Sequence, residues 1–329
     1  MKTISSVVSL CAVAAVLLGR PATAAETFKP GEVWPDDRGQ HIQAHGGGIL
    51  KLGDTYYWFG EDRAQNNQRG LRYVSCYSST NLAHWTFRNQ VVKLADPENL
   101  GRGWILERPK VFYNAATKKF VMYAHIDNGT YKVASVAVLT SDTVDGDYQY
   151  LKTFRPLGHE SRDIGQFVDD DGAAYLIFED RPFGFRIATL SKDYLTVETE
   201  VCLIPEHMEG GAVVHYNGLY YALGSALTGW NPNPNKFATA KSLAGPWSEF
   251  KDIALPEKNT YGSQSSMMVK IVGTKATTVI FLGDIWKPRT QWDSRYLWMP
   301  LEIGDGKLAL PEPHAWTLDI KTGEASVKK

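Results

Sequence analysis

Residues 208–225 read MEGGAVVHYNGLYYALGS, and the fold of the chain can be worked out from this stretch. Two apolar runs, AVV and LYYAL, lie on either side of Asn217 and Gly218. A turn dipeptide between two such runs is a strong short-range signal for a β-hairpin. Glu209 stands at the start, and two glycines follow it, as where a ligand or another chain must come close. We therefore predict a hairpin that presents a carboxylic acid at its end.

Four further copies of this hairpin occur along the chain. Two more runs of β character follow most copies, such as VSCYSSTNLAHW (residues 74–85) and IATLSKDYLTVE (residues 187–198). Four-stranded units that recur about every fifty residues are typical of β-propeller blades. The sequence therefore predicts an all-β fold, a five-bladed β-propeller. The other turns are predicted at Gly53 and Asp54, Ala116 and Thr117, Asp171 and Gly172, and Gly273 and Thr274.

Each hairpin begins with a polar residue four places before an apolar one. We call these five the head residues: His45, Glu107, Asp163, Glu209 and Gln264. The innermost strands of a propeller converge on its axis. The head residues are therefore predicted to meet in one funnel, although they are far apart in sequence.

Three of the head residues, Glu107, Asp163 and Glu209, are carboxylic acids. Like charges in one pocket force at least one carboxyl to keep its proton near neutral pH, as a general acid must. Glycosidic cleavage needs such an acid and a second group that activates water or attacks the sugar. A single acid at a strand start is better explained as a turn or edge charge. Three at equivalent positions favour a catalytic cluster, with Glu209 as the proton donor.

The N-terminus carries Lys2, an apolar run over residues 7–18 and the small residues ATA at 22–24. This pattern predicts a secretory signal peptide over residues 1–24, since the apolar run is too short to span a bilayer. Residues 25–329 are then expected to form one catalytic domain, whose tail after Leu310 closes the ring and frays. We expect an exported protein, periplasmic or extracellular, that does not insert in a membrane.

The formal net charge of −1 provides no field that would gather polyanions, which argues against nucleic acid as a partner. Ten tryptophans and sixteen tyrosines favour flat neutral ligands such as sugar rings. We expect a carbohydrate substrate, a monomer, and no cofactor or metal. The triplet at residues 169–171 invites a calcium site, but a hairpin turn explains it better. Cys76 and Cys202 are interpreted as small hydrophobic residues, although a disulfide between them stays open.

An ordered set of motifs resembles glycoside hydrolase family 43, and within it the exo-β-1,3-galactanase group. The resemblance extends from about Gln43 to about Glu302. The motifs are AHGGG (residues 44–48), ERPK (107–110), SRD (161–163), DDDG (169–172), TGWNP (228–232), GSQS (262–265) and DSRY (293–296).

The resemblance implies an inverting exo-enzyme that removes galactose from the non-reducing end of β-1,3-galactan. It assigns Glu209 as the acid and Asp163 as the residue that adjusts its pKa. Blade one has no carboxylate where the family usually places its general base. In the galactanase group a glutamine on blade five is thought to orient the water as an imidic acid, and Gln264 matches it. His45 is a reserve base, but it is better explained as a histidine that holds the neighbouring glycine-rich backbone in place or contacts a sugar hydroxyl. Glu107 either tunes Glu209 or holds the terminal sugar.

Further polar and aromatic residues at strand ends or in loops are candidates for binding the sugar. Two alternatives to a galactanase stay open: a family 43 α-L-arabinofuranosidase or β-xylosidase, and a carbohydrate-binding propeller without activity. The missing blade-one carboxylate makes the latter conceivable, whereas the acids on blades three and four argue against it. The candidates for sugar binding are Glu61, Arg108, Glu179, Thr228, Asp293, Trp230 and Trp286.

Overall fold

The computed structural model describes residues 26–93 and 100–328, so the predicted signal peptide lies outside the described residues. Within these ranges five antiparallel sheets are arranged as propeller blades, four with four strands and one with three. The innermost strand of each blade contacts that of the next, and blade five contacts blade one. The prediction of an all-β five-bladed propeller is confirmed. No helix among the described residues is long and apolar enough to cross a membrane.

The strands of each blade follow one another in sequence, from the axis outward. Blade one contains His45–Leu52, Thr55–Asp62, Tyr73–Ser79 and Thr86–Lys93. Blade two contains Ile105–Asn114, Lys119–Asp127, Ser135–Ser141 and Gln149–Phe154. Blade three contains Ile164–Val168, Ala174–Asp180, Gly184–Leu190 and Val197–Ile204. Blade four contains Met208–Tyr216, Leu219–Ala226, Lys236–Ala240 and Lys251–Asp252, and blade five contains Gln264–Val272, Thr277–Ile285 and Arg295–Pro300.

Short elements complete the ring beside blade five. The N-terminal strand Glu26–Phe28 pairs with Trp316–Leu318, which pairs with Ala325–Val327. Trp316 is fully buried, stacks on Phe28 at 4.0 Å and donates a hydrogen bond to the Trp298 carbonyl. The C-terminal segment therefore closes the ring as predicted, but it is packed there instead of fraying. The other short elements are the hairpin of Glu302–Gly304 with Lys307–Ala309 and the 3₁₀ turns Pro156–Gly158, Pro256–Gly262 and Gln291–Asp293.

The hairpin of blade four shows why the sequence turns where it does. Asn217 and Gly218 both have positive φ angles, 48° and 75°. Two central residues with positive φ define the type I′ turn, whose twist matches that of the flanking strands. Tyr216 accordingly pairs with Leu219, in the register that the dipeptide predicts.

The head residues of four blades are followed by a shift in strand register. On blades one, two and four the residue after the head has a positive φ: Gly46 at 56°, Arg108 at 54° and Gly210 at 64°. The shift separates Glu209 from Ala212 in the pairing with the next strand, and equivalent shifts occur on blades one, two and five. Such bulges re-aim a side chain at the end of a strand. On blades two, four and five the heads that precede these bulges line one cavity, described below.

The aspartate triplet and the two thiols both lie within the described residues. The backbone N–H of Gly172 donates to the Asp169 carbonyl at 2.9 Å, so the aspartate triplet forms a hairpin turn as expected. Cys76 is buried in blade one and Cys202 is partly buried in blade three. Both are free thiols, so they do not pair with each other.

Candidate active site

A cavity of about 280 Å³ is lined by four of the five head residues, Glu107, Asp163, Glu209 and Gln264. Its volume is near the lower end of the roughly 300–1,000 Å³ of small-molecule sites, which favours a small ligand or a chain end. Residues from all five blades contribute to it. The lining consists of Glu61, Glu107, Arg108, His125, Tyr131, Arg162, Asp163, Glu179, Arg181, Glu209, Gly229, Trp230, Gln264 and Trp286.

Glu209 is a buried carboxyl of the cavity whose pKa is raised. Only 7% of the residue is exposed. Its Oε1 accepts a hydrogen bond from Gln264 Nε2 at 2.8 Å, and its Oε2 lies 3.4 Å from the Arg181 guanidinium. Burial raises the pKa of Glu209 to about 8, helped by the negative charges of Asp163 and Glu179. The side chain therefore carries a proton at neutral pH and can donate it.

The amide of Gln264 is held by four partners. Its oxygen accepts from Trp286 Nε1 at 2.9 Å and from the Arg108 guanidinium at 2.5 Å. Its nitrogen donates to Glu209 and to Ser225 Oγ, the latter at 3.1 Å. A side-chain amide offers two donor hydrogens and two main acceptor positions, so all of them are occupied. This network fixes which way the amide points.

Arg108 joins the heads of three blades. Its guanidinium contacts Asp163 Oδ2 at 2.9 Å as well as Gln264, and its backbone N–H donates to Glu61 at 3.1 Å. Asp163 Oδ2 also accepts from the backbone N–H of Gly210 at 3.0 Å. Asp163 is thus tied both to the arginine and to the residue that follows Glu209. These contacts hold the carboxylate of Asp163 beside the acid.

Glu107 lies in the opposite electrostatic environment. One carboxylate oxygen is 3.3 Å from His125 Nδ1 and the other is 3.7 Å from Arg63. Burial alone would raise its pKa, but His125, with Arg63 and Arg108, lowers it to about 2. The pKa of His125 is raised to about 9, because hydrogen bonds to Asp127 and Glu107 outweigh its burial. Glu107 is therefore ionised at every pH of interest.

Two further carboxyls line the cavity on the strands that neighbour the heads. Glu61 bonds to Arg63, and Glu179 bonds to Arg181 at 2.5 Å. Burial raises the pKa of both groups, while these arginines oppose the shift. Each therefore presents a carboxyl whose partner arginine is fixed by the fold. Such pairs can accept and donate hydrogen bonds to sugar hydroxyls.

Two tryptophans form one wall of the cavity. Trp230 is 42% exposed, and its ring meets that of Trp286 edge to face at 5.2 Å. Trp286 cannot rotate freely, because its indole N–H is bonded to Gln264. A rigid apolar wall opposite carboxylates and arginines suits a sugar ring, which has apolar faces and a polar rim.

Three of the predicted sugar contacts do not line this cavity. His45 is fully buried, with Nδ1 3.2 Å from Asp284 and its ring stacked on Tyr296 at 4.8 Å. Its ring faces the protein interior and not this cavity, and its role as a base or a sugar contact stays a prediction. Thr228 bonds within its own loop, and Asp293 pairs with Lys287 and Arg295.

Sequence reasoning missed five lining residues: His125, Tyr131, Arg162, Arg181 and Gly229. The strand register contains a signal for the first of these. The second strand of each hairpin ends beside the head of the first, so Glu107 pairs with His125 as His45 pairs with Glu61. The residue opposite each head could therefore have been read from the turn position. Tyr131, Arg162 and Arg181 lie outside the strands and carry no such signal.

A buried carboxyl that keeps its proton, beside the ionised carboxylate of Glu107 in an open cavity with an aromatic wall, is an arrangement that suits glycosidic cleavage. The fold and the site together define a glycoside hydrolase.

Comparison with known proteins gives the family. The model for glycosyl hydrolases family 43 matches residues 45–281, and the chain belongs to glycoside hydrolase family 43. No curated protein matches the sequence.

Several solved structures are similar over most of the chain. A variant of the exo-β-1,3-galactanase of Phanerochaete chrysosporium, solved with β-1,3-galactotriose, is 37% identical with a TM-score of 0.87, over 92% of this chain and 71% of that one. The exo-β-1,3-galactanase of Clostridium thermocellum is 35% identical with a TM-score of 0.85, over 92% and 68%. A family 43 β-1,3-galactosidase with galactodeoxynojirimycin is 32% identical with a TM-score of 0.78, over 86% and 97%. The chain thus resembles exo-β-1,3-galactanases.

Proposed function

We propose that this enzyme is an exo-acting β-1,3-galactan hydrolase that releases galactose from the non-reducing end with inversion of configuration. The observation that carries the hydrolytic part is Glu209, a carboxyl whose pKa of about 8 keeps it protonated inside the cavity. The galactan part is supported by the solved relatives, one of which was crystallised with β-1,3-galactotriose. The small volume of the cavity is consistent with binding one end of a chain.

In this proposal Glu209 protonates the oxygen of the leaving sugar. Asp163 acts through its negative charge, which helps keep the proton on Glu209 until the glycosidic oxygen takes it. The ionised carboxylate of Glu107 accepts hydrogen bonds from hydroxyls of the terminal galactose. Trp230 and Trp286 stack against an apolar sugar face. Each step uses a group that already lines the cavity.

Gln264 is proposed to orient the attacking water. An amide is a very weak base, so it can contribute by position or by a relayed proton shift and not by basicity. Because its four hydrogen-bonding positions are occupied, it must release one partner before it can hold a water. The bond from Nε2 to Glu209 is the one to release, because Glu209 must turn to the glycosidic oxygen when substrate binds.

We also propose that residues 1–24 direct export and are then removed. The support is the charged start, apolar run and small-residue end of that segment. N-terminal sequencing of protein recovered outside the cytoplasm should begin near Ala25. Recovery of the protein only from the cytoplasm, with residues 1–24 intact, would contradict this.

The function is tested by three substrates offered separately: β-1,3-galactan, an aryl arabinofuranoside and an aryl xyloside. We expect galactose from the first, with an α configuration when first released, and no pentose from the others. Glu209→Gln is the matched inactive control. Pentose release would move the enzyme to the arabinofuranosidase or xylosidase class. No release from any of the three would make it a carbohydrate-binding propeller.

A further inference from the structure

A second groove, of about 960 Å³, lies on the flank of blade one. It is formed by the loop before the blade, the loop after its second strand, its outer strands and the loop that contains Trp292. None of its lining residues belongs to the lining of the catalytic cavity. The groove is therefore a separate site that the proposed chemistry does not use.

The groove is lined to an unusual extent by side-chain amides. Gln40, Gln65 and Asn66 are exposed at its edge. Gln43 lies deeper and is 7% exposed, and its Oε1 has no hydrogen-bond partner among the described residues. Each amide both donates and accepts hydrogen bonds, as each hydroxyl of a sugar does. The groove thus offers partners for a neutral polyhydroxyl ligand.

Aromatic rings accompany these amides. Trp292 is 40% exposed, although it is a large apolar side chain. Phe87 lies within the groove, with the Arg38 guanidinium 3.6 Å from its ring centroid. Aromatic rings supply flat contact area that suits the apolar face of a sugar ring. Among the described residues, no cation or aromatic ring packs against the exposed Trp292, whereas Arg38 covers Phe87.

Three side chains that line the groove carry a formal charge: Arg38 and Asp62, which have partners within the protein, and Lys93, which is exposed at its edge. Arg38 is paired with Asp36 at 2.6 Å. The Asp62 carboxylate accepts hydrogen bonds from Ser75 Oγ at 2.7 Å and from Gln90 Nε2 at 3.0 Å. Because Arg38 and Asp62 already have partners and Lys93 is a single cation at the edge, the groove suits a neutral ligand better than a polyanion or a metal.

The groove and the catalytic cavity are built on the same two elements. Glu61 and Asp62 are consecutive on one strand, so their side chains point to opposite faces; the first lines the cavity and the second lines the groove. Trp286 and Trp292 lie in one loop, and the first lines the cavity while the second lines the groove. Gln43 ties this loop to blade one through a 2.9 Å hydrogen bond to the Trp292 carbonyl.

We propose that this groove is a second carbohydrate site, which holds a segment of the neutral polysaccharide while a chain end occupies the catalytic cavity. The identity of that polysaccharide rests on the proposed function. The binding itself rests on the amides, on Trp292 and on the position of the groove. Its effect is to keep the polymer beside the cavity between cleavage events.

The test compares Trp292→Ala with Leu255→Ala, which removes an exposed apolar side chain, 62% exposed, outside the groove. Gln65→Ala with Asn66→Ala is a second groove variant, and both positions are exposed enough to leave folding intact. All are made in the Glu209→Gln background and run on native gels that contain soluble β-1,3-galactan, β-1,4-galactan, arabinan or xylan. At least one of these polymers should slow the migration of the Glu209→Gln protein. That retention should weaken about 2- to 10-fold in both groove variants.

Kinetics of the same variants in active enzyme separate the groove from the cavity. For Trp292→Ala we expect KM on the polymer to rise about 2- to 10-fold, with KM and kcat on a small aryl glycoside unchanged. Retention and polymer KM equal to those of Leu255→Ala in both groove variants would overturn the proposal. Absence of retention by all four polymers would also overturn it. Neither result depends on which sugar the enzyme releases. The galactanase assignment is tested separately, by the three substrates described above.

Discussion

Glu209 and Glu107 stand at equivalent positions of blades four and two, yet their acidities differ widely. The pKa of Glu209 is raised to about 8, and that of Glu107 is lowered to about 2. Both are glutamates at a bulged strand start, and both line one cavity. The difference must therefore come from their neighbours and not from residue type or position.

The register partner across the hairpin accounts for much of it. Glu209 pairs with Ser225, which is neutral, whereas Glu107 pairs with His125, whose pKa is raised to about 9. One head therefore faces added negative charge from other blades, and the other faces a cation. The propeller repeats the position of a carboxyl and varies its partner, and this yields an acid and an anion from the same residue type.

The largest effect is expected from Glu209→Gln. Loss of acid assistance should lower kcat about 10²- to 10⁴-fold. Glutamine keeps the shape of the side chain, so circular dichroism should show an unchanged fold. The assay is release of reducing sugar from β-1,3-galactan. Turnover at the rate of the unmodified enzyme would end the assignment of Glu209 as the acid.

Gln264→Ala is expected to rank next. The variant loses the group that is proposed to hold the water, and it also frees Arg108 and Trp286 from their common partner. We expect kcat to fall about 10²-fold or more. Ser225→Ala is the matched control, since it removes one bond to the amide and leaves its other partners. Near-normal activity of Gln264→Ala would show that another residue orients the attacking water.

The raised pKa of Glu209 also predicts a change in stability. Its folded pKa of about 8 exceeds its ordinary value of 4.5, so the native state binds the proton more tightly and loses stability as pH rises between these values. Glu209→Gln should therefore be more stable by about 3 kcal/mol at pH 7. Denaturant unfolding at pH 4 and pH 7 measures this. A gain that is equal at both pH values would argue against the shift.

We expect the smallest effect on kcat from His125→Ser. This variant tests the comparison of Glu107 with Glu209 most directly. This change gives Glu107 the neutral partner that Glu209 has. The pKa of Glu107 should rise by at least about 2 units, because its main cationic neighbour is gone. A ¹³C NMR titration of the glutamate carboxyls detects it, with Lys118→Ser as a surface control. An unmoved resonance would show that the partner does not set the acidity.

The sequence predicted the parts of this molecule that repeat. Five turns, each preceded by a polar residue four places before an apolar one, were enough to predict the blades and to bring Glu209 together with Gln264, which are 2.8 Å apart. The repeat also suggested His45 as a site residue, but the structure places its ring against Asp284 and Tyr296 and not in the cavity. Glycines in the bulge do not account for this, because Gly210 and Gly211 follow Glu209 in the same way.

The pKa values of the carboxyls and the positions of the arginines could not be predicted from the sequence repeat. Arg63, Arg162 and Arg181 follow strands or lie in loops, and their positions depend on how neighbouring blades pack. The pKa of Glu209 depends on charges from blade three and on burial by the whole ring. A sequence pattern gives the identity of a head residue, but only the assembled ring gives its surroundings.

The central claim is that Glu209 holds a proton at neutral pH. A ¹³C NMR titration of glutamate carboxyls in the intact enzyme, compared with Glu209→Gln, isolates its resonance as the one that disappears. The account predicts that this resonance titrates near pH 8. Titration near pH 4.5, with the other carboxyls, would contradict it.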